Sequence, residues 1–272
     1  MNNIDIIIPV HKYNDDIKNL LARCLTSVKE MAINAQKTDI ICDVHIVGPS
    51  TLPLEILDII EWEGIFNLTI EENDGLLDFS SQINFAVENT CKNDYFMIVE
   101  MDDVVTPKWI NMSIPYIKER KKCPIFLPLV EVYDITSPKM PLHYINELAW
   151  SSSFTEDVLG VLSNALIKDF RNFNITGSII KRSDFIKAGS FKPSIKLSFC
   201  YELLLRLTHF CGDAFVIPKV GYFHFVNREG SLSDEYYKTM SKEEGSWWID
   251  LALEEYQCKI DKNKVYNPDN NN

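Results

Sequence analysis

The sequence lacks a Cys-x-x-Cys pair, a long apolar run and any excess of positive charge. Each absence excludes something. The seven cysteines, at 24, 42, 91, 123, 200, 211 and 258, are odd in number, and several sit inside apolar runs where Cys behaves as a small hydrophobe. That excludes a disulfide framework and a Cys-based zinc site, and it points to a reducing compartment. No apolar stretch approaches the roughly 18 residues needed to cross a bilayer. The first residues run straight into a strand-like segment, without the basic and apolar regions of a leader. The expectation is a cytoplasmic protein with no transmembrane segment. With 27 Lys and Arg against 39 Asp and Glu, the net charge is −12, which disfavours a protein that gains affinity by neutralising nucleic-acid phosphates. The basic run at 118–122 (KERKK) reads as a solvated helix end before Pro124.

What is present is an alternation of strands and helices. At 272 residues the chain suffices for one large α/β domain or two small ones. Residues 4–10 (IDIIIPV) form a β-branched run of the kind found in buried parallel strands, and Asn14 can cap the helix after it. From Ile17 the apolar residues fall at 17, 20, 21, 24, 25, 28, 31 and 32, one face of a helix. A strand at 40–47, a helix at 54–60, a strand at 66–70 and a turn at 73–75 come next. Ser80 or Ser81 then caps a helix with Ile83, Ala86, Val87 and Cys91 on one face, and a strand occupies 95–99. This βαβαβαβ order predicts a mainly parallel central sheet flanked by helices, with ligands at the carboxyl ends of the strands.

The strand at 95–99 (YFMIV) runs into three carboxylates, Glu100, Asp102 and Asp103, and then Pro107. Carboxylates are seldom buried without positive charge among them, and close carboxylates raise one another's pKa unless a cation is shared. A hard divalent ion with oxygen ligands, Mn²⁺ or Mg²⁺, would answer both problems, and Mg²⁺ commonly carries substrate phosphates as well. A merely solvated acidic loop is the other reading of these residues alone. Their position at the carboxyl end of the fourth strand favours the metal.

The succession IIIPVHKYND, HIVGPS and SSQINFAVENTCKNDYFMIVEMDDVVTPKWI resembles the nucleotide-sugar half of family-2 glycosyltransferases with a GT-A (Rossmann-like) fold. The likeness covers residues 4–110, and 175–235 more loosely. It implies one GT-A domain with a nucleotide-sugar-binding half at 1–124, an acceptor-binding and catalytic half at 125–261, and a disordered tail at 262–272. It also implies transfer of a sugar from a nucleotide diphosphate-sugar, UDP-linked in the usual case, to an acceptor hydroxyl with inversion. Pro9, Val10 and His11 would end the first strand at the nucleotide, and Asn84 would face it from the helix before the metal motif. Glu100, Asp102 and Asp103 form the DxD-like motif, with His224 completing the metal site. Arg228 and Ser231 would close over the donor, Arg because its planar fork suits a diphosphate. Two departures stand out. Val47-Gly48-Pro49 replaces the Asp that usually follows the second strand, and Phe199-Cys200 occupies the positions where the family carries its catalytic Asp.

Within the second half, residues 125–133 (IFLPLVEVY) read as a strand whose Pro128 belongs at an edge or a bulge. Residues 136–174 read as an irregular functional loop whose aromatics, Tyr144, Trp150, Phe154 and Phe170, either hold sugar rings or pack beneath it. A helix at 198–211 turns Phe199, Leu203, Leu204, Leu207 and Phe210 inward. Glu202 on this helix is the candidate general base, with Asp184 in reserve. Glu202 and Arg206 also have the i,i+4 spacing of an ordinary helix-stabilising pair. Two other functions remain open. Nucleotidyl transfer would need a Gly-rich basic loop after the first strand, where HKYND stands. A catalytically inactive GT-A-like protein that binds a nucleotide or a carbohydrate would tolerate both departures.

Overall fold

A computed structural model describes residues 3–12, 15–50, 52, 61–73, 75, 78–154, 158–171, 173–195, 198–231, 238–241, 243, 244, 246, 247, 250, 251 and 253. The expected helix at 54–60, the Asn14 cap, Asp74 of the expected turn and the tail at 262–272 lie outside the described residues.

The first half keeps the expected order. Strand β1 (Asn3–Pro9) leads to helix α1 (Asp15–Gln36), β2 (Ile41–Gly48), β3 (Asn67–Glu72), α2 (Phe79–Asn89) and β4 (Tyr95–Ile98). β1 pairs in parallel with β2 and β4, and β2 pairs in parallel with β3. Along β1 the alternation of side chains sorts Ile4, Ile6 and Ile8 into one apolar layer and Ile7 into the other. α1 and α3 (Trp109–Glu119) cover the first layer, while α2, α5 (Arg182–Lys187) and α6 (Phe199–Phe210) cover the second. Helix α2 starts one turn earlier than its serines suggest. The Asp78 carboxylate accepts the Ser81 N–H at 2.9 Å, and Ser80 and Ser81 are buried inside the first turn.

The second half completes one sheet. β5 (Val104–Val105), β6 (Ile125–Asp134), β9 (Ile179–Lys181) and β10 (Ala214–Val226) extend it in the order β3-β2-β1-β4-β9-β6-β10-β5. β9 runs antiparallel between β4 and β6, so those two strands are parallel to each other. β6 is therefore an interior strand, and the edge placement of Pro128 is corrected. Its bulge placement holds: the β6–β10 register shifts between Val216 and Val220, opposite Pro128, and the Pro128 carbonyl accepts Asn146 Nδ2 at 2.9 Å. A side chain thus takes up the carbonyl that the bulge leaves outside the ladder.

The segment 136–174 is more ordered than expected. It contains β7 (His143–Ile145), a 3₁₀ turn (Glu147–Trp150), β8 (Val161–Leu162) and α4 (Asn164–Asp169). Trp150 Nε1 donates to Val216 O at 3.0 Å, and Phe154, Phe170 and Phe173 pack ring against ring. Those aromatics hold the segment down. Phe210 is a correction as well: at the last turn of α6 it is 47% exposed, whereas Leu203, Leu204 and Leu207 are fully buried.

Candidate metal and nucleotide site

The acids leave β4 through a tight turn. The Asp103 N–H donates to Glu100 O at 3.0 Å, which brings positions 100 and 103 to the same side and sends Asp102 to the other. β10 then meets the turn from across the sheet. Asp103 is completely buried; its Oδ2 lies 2.8 Å from His224 Nδ1, and its Oδ1 accepts the Phe225 N–H at 2.8 Å. The Glu100 N–H donates to the Tyr222 hydroxyl at 2.8 Å, and Thr176 Oγ1 donates to Glu100 Oε1 at 3.2 Å. One ligand-capable atom from each of Glu100, Asp103 and His224 lies within 4.8 Å of the other two.

Asp102 stands outside this cluster. Its Oδ2 accepts Arg228 Nε at 2.8 Å, and its carbonyl accepts the Arg23 guanidinium, which also lies over the Phe225 ring at 3.9 Å. The expected set of three acids and His224 therefore resolves into a triad of Glu100, Asp103 and His224, with Asp102 and Arg228 as an adjoining ion pair. Arg23, Thr176 and Tyr222 carried no expected site role. Nothing in a helical face or a strand alternation marks such residues, because their importance arises only when α1, β9 and β10 meet the turn.

The electrostatics arise from burial. Desolvation first, and the neighbouring Asp103 second, push the Glu100 carboxyl up to about 8. Burial likewise raises Asp103, against the pull of His224. For His224 burial alone would favour the neutral ring, but Asp103, through its charge and hydrogen bond, and then Glu100 and Asp102 raise it to about 10. Near neutral pH the triad thus balances its negative charge with protons. Two carboxylates and an imidazole, Asp103 fully and the other two partly buried, whose negative charge is offset by protons, are a donor set a divalent ion fits, since the ion replaces those protons. Carboxylate oxygen with imidazole suits Mn²⁺, and carboxylates alone suit Mg²⁺.

The other expected residues divide by their surroundings. Pro9 closes β1 at the same edge; the Val10 N–H donates to Val47 O at 2.8 Å, and Val10 O accepts Gln82 Nε2 at 3.0 Å. His11 is half-buried just beyond them. A Cβ on Gly48 would lie 3.0 Å from Val10 O, so the residue that ends β2 has almost no room for a side chain. Lys12 Nζ donates to Gly230 O at 2.9 Å, tying the end of β1 to the loop that carries Arg228 and Ser231. Asn84 is committed elsewhere: its Nδ2 donates to Phe191 O at 2.8 Å and its Oδ1 accepts the Phe191 N–H at 2.9 Å.

Neither expected base stands free beside the triad. Glu202 is fully buried, chelated by Arg206 at 2.9 and 2.7 Å, with Lys192 at 3.5 Å. Arg206 in turn donates to the carbonyls of Ala188 and Ser190. Asp184 pairs with Lys181 at 3.3 Å. Lys181 pairs with Tyr95 at the start of β4, whereas Glu100 comes after the end of that strand, so Asp184 lies near the opposite edge of the sheet.

A second cluster, Asp5, His45 and Cys91, is wholly buried. Asp5 Oδ1 is bonded to His45 Nε2 at 2.9 Å, and its Oδ2 accepts the N–H groups of Lys92 and Asn93 at 3.1 and 2.8 Å. Its carboxylate is already satisfied, and burial raises the Cys91 thiol above the range in which a thiolate forms.

No family model matches the chain, and no curated protein matches it by sequence. Solved structures do. Residues 1–349 of TarS from S. aureus, solved in complex with UDP-GlcNAc, match with a TM-score of 0.60 at 12% identity, over 93% of this chain and 65% of that one. The mannosyltransferase PcManGT from Pyrobaculum calidifontis, in complex with GDP-Man and Mn²⁺, matches with a TM-score of 0.59 at 12% identity, over 84% of this chain and 58% of that one. GalNAc-T7 with UDP, GalNAc and Mn²⁺ gives a TM-score of 0.54 at 13% identity, over 84% and 44%. The chain spans less than two thirds of each of these three. At such identities the likeness shows the fold, which is the GT-A fold of these glycosyltransferases.

Proposed function

We propose that the protein is a metal-dependent glycosyltransferase that moves a sugar from a nucleotide diphosphate-sugar to an acceptor hydroxyl. The observation that carries this reading is the convergence of Glu100, Asp103 and His224 at the carboxyl edge of the parallel strands of a GT-A fold. Sheets of this kind bind nucleotides at that edge. Glu100, Asp103 and His224 would hold Mn²⁺ or Mg²⁺, which when bound would take up charge building on the departing diphosphate. Arg228 would share its guanidinium between Asp102 and the diphosphate, and Ser231 lies in the same turn, its N–H donating to Arg228 O at 3.2 Å. Val10, His11 and Lys12 would border the nucleotide from β1.

Direct displacement with inversion requires a general base to take the acceptor proton, the role expected of Glu202. Glu202 can do so only if its pair with Arg206 opens. That requirement favours, as a second reading, a GT-A-like protein that binds nucleotide or carbohydrate without turnover.

The test is thermal melting against UDP-, GDP- and other nucleotide sugars, each with Mn²⁺ and with chelator. A ligand that binds only the native state raises the melting temperature. One nucleotide class should raise it in the presence of metal, and Glu100→Gln should abolish the shift. If no donor shifts the metal-loaded protein, the transferase reading is wrong. A shift without product release in a subsequent turnover assay would select the second reading.

A further inference from the structure

A cavity of ≈ 580 Å³ is walled by β7, the 3₁₀ turn and the residues that precede β9. Its place is set by the topology. β4 and β6 run parallel, and β7 pairs with Val130 to Val132 in the C-terminal half of β6, so the cavity lies at the same sheet edge as Glu100. Hydrogen bonds connect the two. Thr176 Oγ1 is 3.2 Å from Glu100 Oε1 and 3.0 Å from Asn174 Oδ1, and the Asn174 N–H donates to Asn146 Oδ1 at 3.0 Å. Asn174 and Asn146 both line the cavity. Asn146 is 3% exposed and its Nδ2 also donates to the carbonyls of Pro128 and Asn174, so this wall is rigid.

The lining indicates the ligand. Tyr144, 41% exposed, and Phe170 supply ring faces. Glu147 and Arg171 are exposed and carry opposite charges, and Arg171 Nη2 lies 3.5 Å from Asp250 Oδ1, so its charge is already partly offset. A phosphate-bearing ligand would call for an excess of cations, which this lining lacks. Ring faces beside a carboxylate, an amide and a guanidinium match a molecule with apolar C–H faces and a rim of hydroxyls that both donate and accept. The volume falls within the range of small-molecule sites.

We infer that this cavity is the acceptor subsite and that it takes an uncharged saccharide, with Tyr144 against a ring face and Glu147 accepting from a hydroxyl. The inference rests on the transferase reading for the word acceptor; the carbohydrate specificity stands on the lining alone. Acceptor and donor would then meet across Thr176 and Glu100.

The experiment is saturation-transfer NMR on the full chain with methyl α- and β-glycosides of glucose, galactose and N-acetylglucosamine, with glycerol 3-phosphate as the charged comparison. Tyr144→Ala and Glu147→Gln are made in parallel; both side chains are exposed, and unchanged melting temperatures confirm that the variants fold. At least one glycoside should give transfer, reduced threefold or more in each variant, while the donor-induced melting shift stays as in the parent. Transfer that neither variant reduces, no transfer from any glycoside, or transfer from glycerol 3-phosphate alone would overturn the inference. Glycoside binding that depends on Tyr144 without any donor-induced shift would uphold the carbohydrate site and sink the transferase reading.

Discussion

A buried carboxylate needs a reason, and three in this protein find different ones. Asp103 is held by His224 and a backbone N–H, Glu202 by Arg206, and Glu100 by a shared environment that favours its protonated form. The Glu100 carboxyl binds a proton in the fold up to about pH 8, against 4.5 for an ordinary glutamate, so the native state holds more protons than the unfolded chain between those values. Stability contributed at Glu100 therefore declines as pH rises from about 4.5 through 8. His224 acts in the same direction: its contribution is complete below 6.5 and is lost as pH rises through about 10. The melting temperature of metal-free protein should fall between pH 5 and 9, and Mn²⁺ should flatten that fall by replacing the protons. Melting curves across pH with chelator and with Mn²⁺ measure this; parallel curves would mean that no ion occupies the triad. Glu202→Gln separates structure from catalysis. Removing one partner of a buried pair costs about 3–5 kcal/mol, so urea unfolding should show a loss of that order. A variant of parental stability that lacks turnover would restore Glu202 as the base.

At the scale of elements, the sequence discloses strands and helices because each carries its own period. The order from β1 to β4 was legible for that reason, as was the acidic turn after β4. Which acids work together was not legible, since three carboxylates in four positions share no strand alternation once the chain turns. Only the bond from the Asp103 N–H to Glu100 O decides that 100 and 103 converge while 102 departs. The antiparallel insertion of β9 between β4 and β6 was not legible either, because it depends on partners distant in the chain. Gly177 shows how such an insertion reaches the site. It sits at φ +70°, and a Cβ there would come within 2.5 Å of the Tyr222 ring, whose hydroxyl accepts the Glu100 N–H. Gly177→Ala should lower stability by at least about 1–3 kcal/mol, the usual cost of a strained backbone position. Because Tyr222 must move, Mn²⁺ affinity should fall too. Calorimetric titration of the folded variant checks this; parental affinity would show that Tyr222 does not position Glu100.

For the whole molecule, the problem is one of sign. On the proposed function, a chain of net charge −12 would have to bind a nucleoside diphosphate, itself an anion. Long-range attraction cannot supply the affinity, because exposed charges are screened beyond about 8 Å at physiological ionic strength and the surplus charge here is repulsive. The attraction has to be local. Arg228 is engaged by Asp102, Lys12 by the Gly230 carbonyl and Arg23 by the Asp102 carbonyl, so on the proposed reading a divalent ion at the triad would supply the positive potential that the diphosphate needs. Nucleoside diphosphate affinity should therefore drop at least tenfold, about 1.4 kcal/mol, when Mn²⁺ is replaced by chelator. In the presence of metal, raising the salt concentration should weaken binding far less than removing the ion does, because a buried contact is screened little. Isothermal titration at two salt concentrations, with and without Mn²⁺, measures both quantities. Binding that persists in chelator and collapses with salt would instead locate the affinity in surface cations, and the triad would then have to be explained by folding alone.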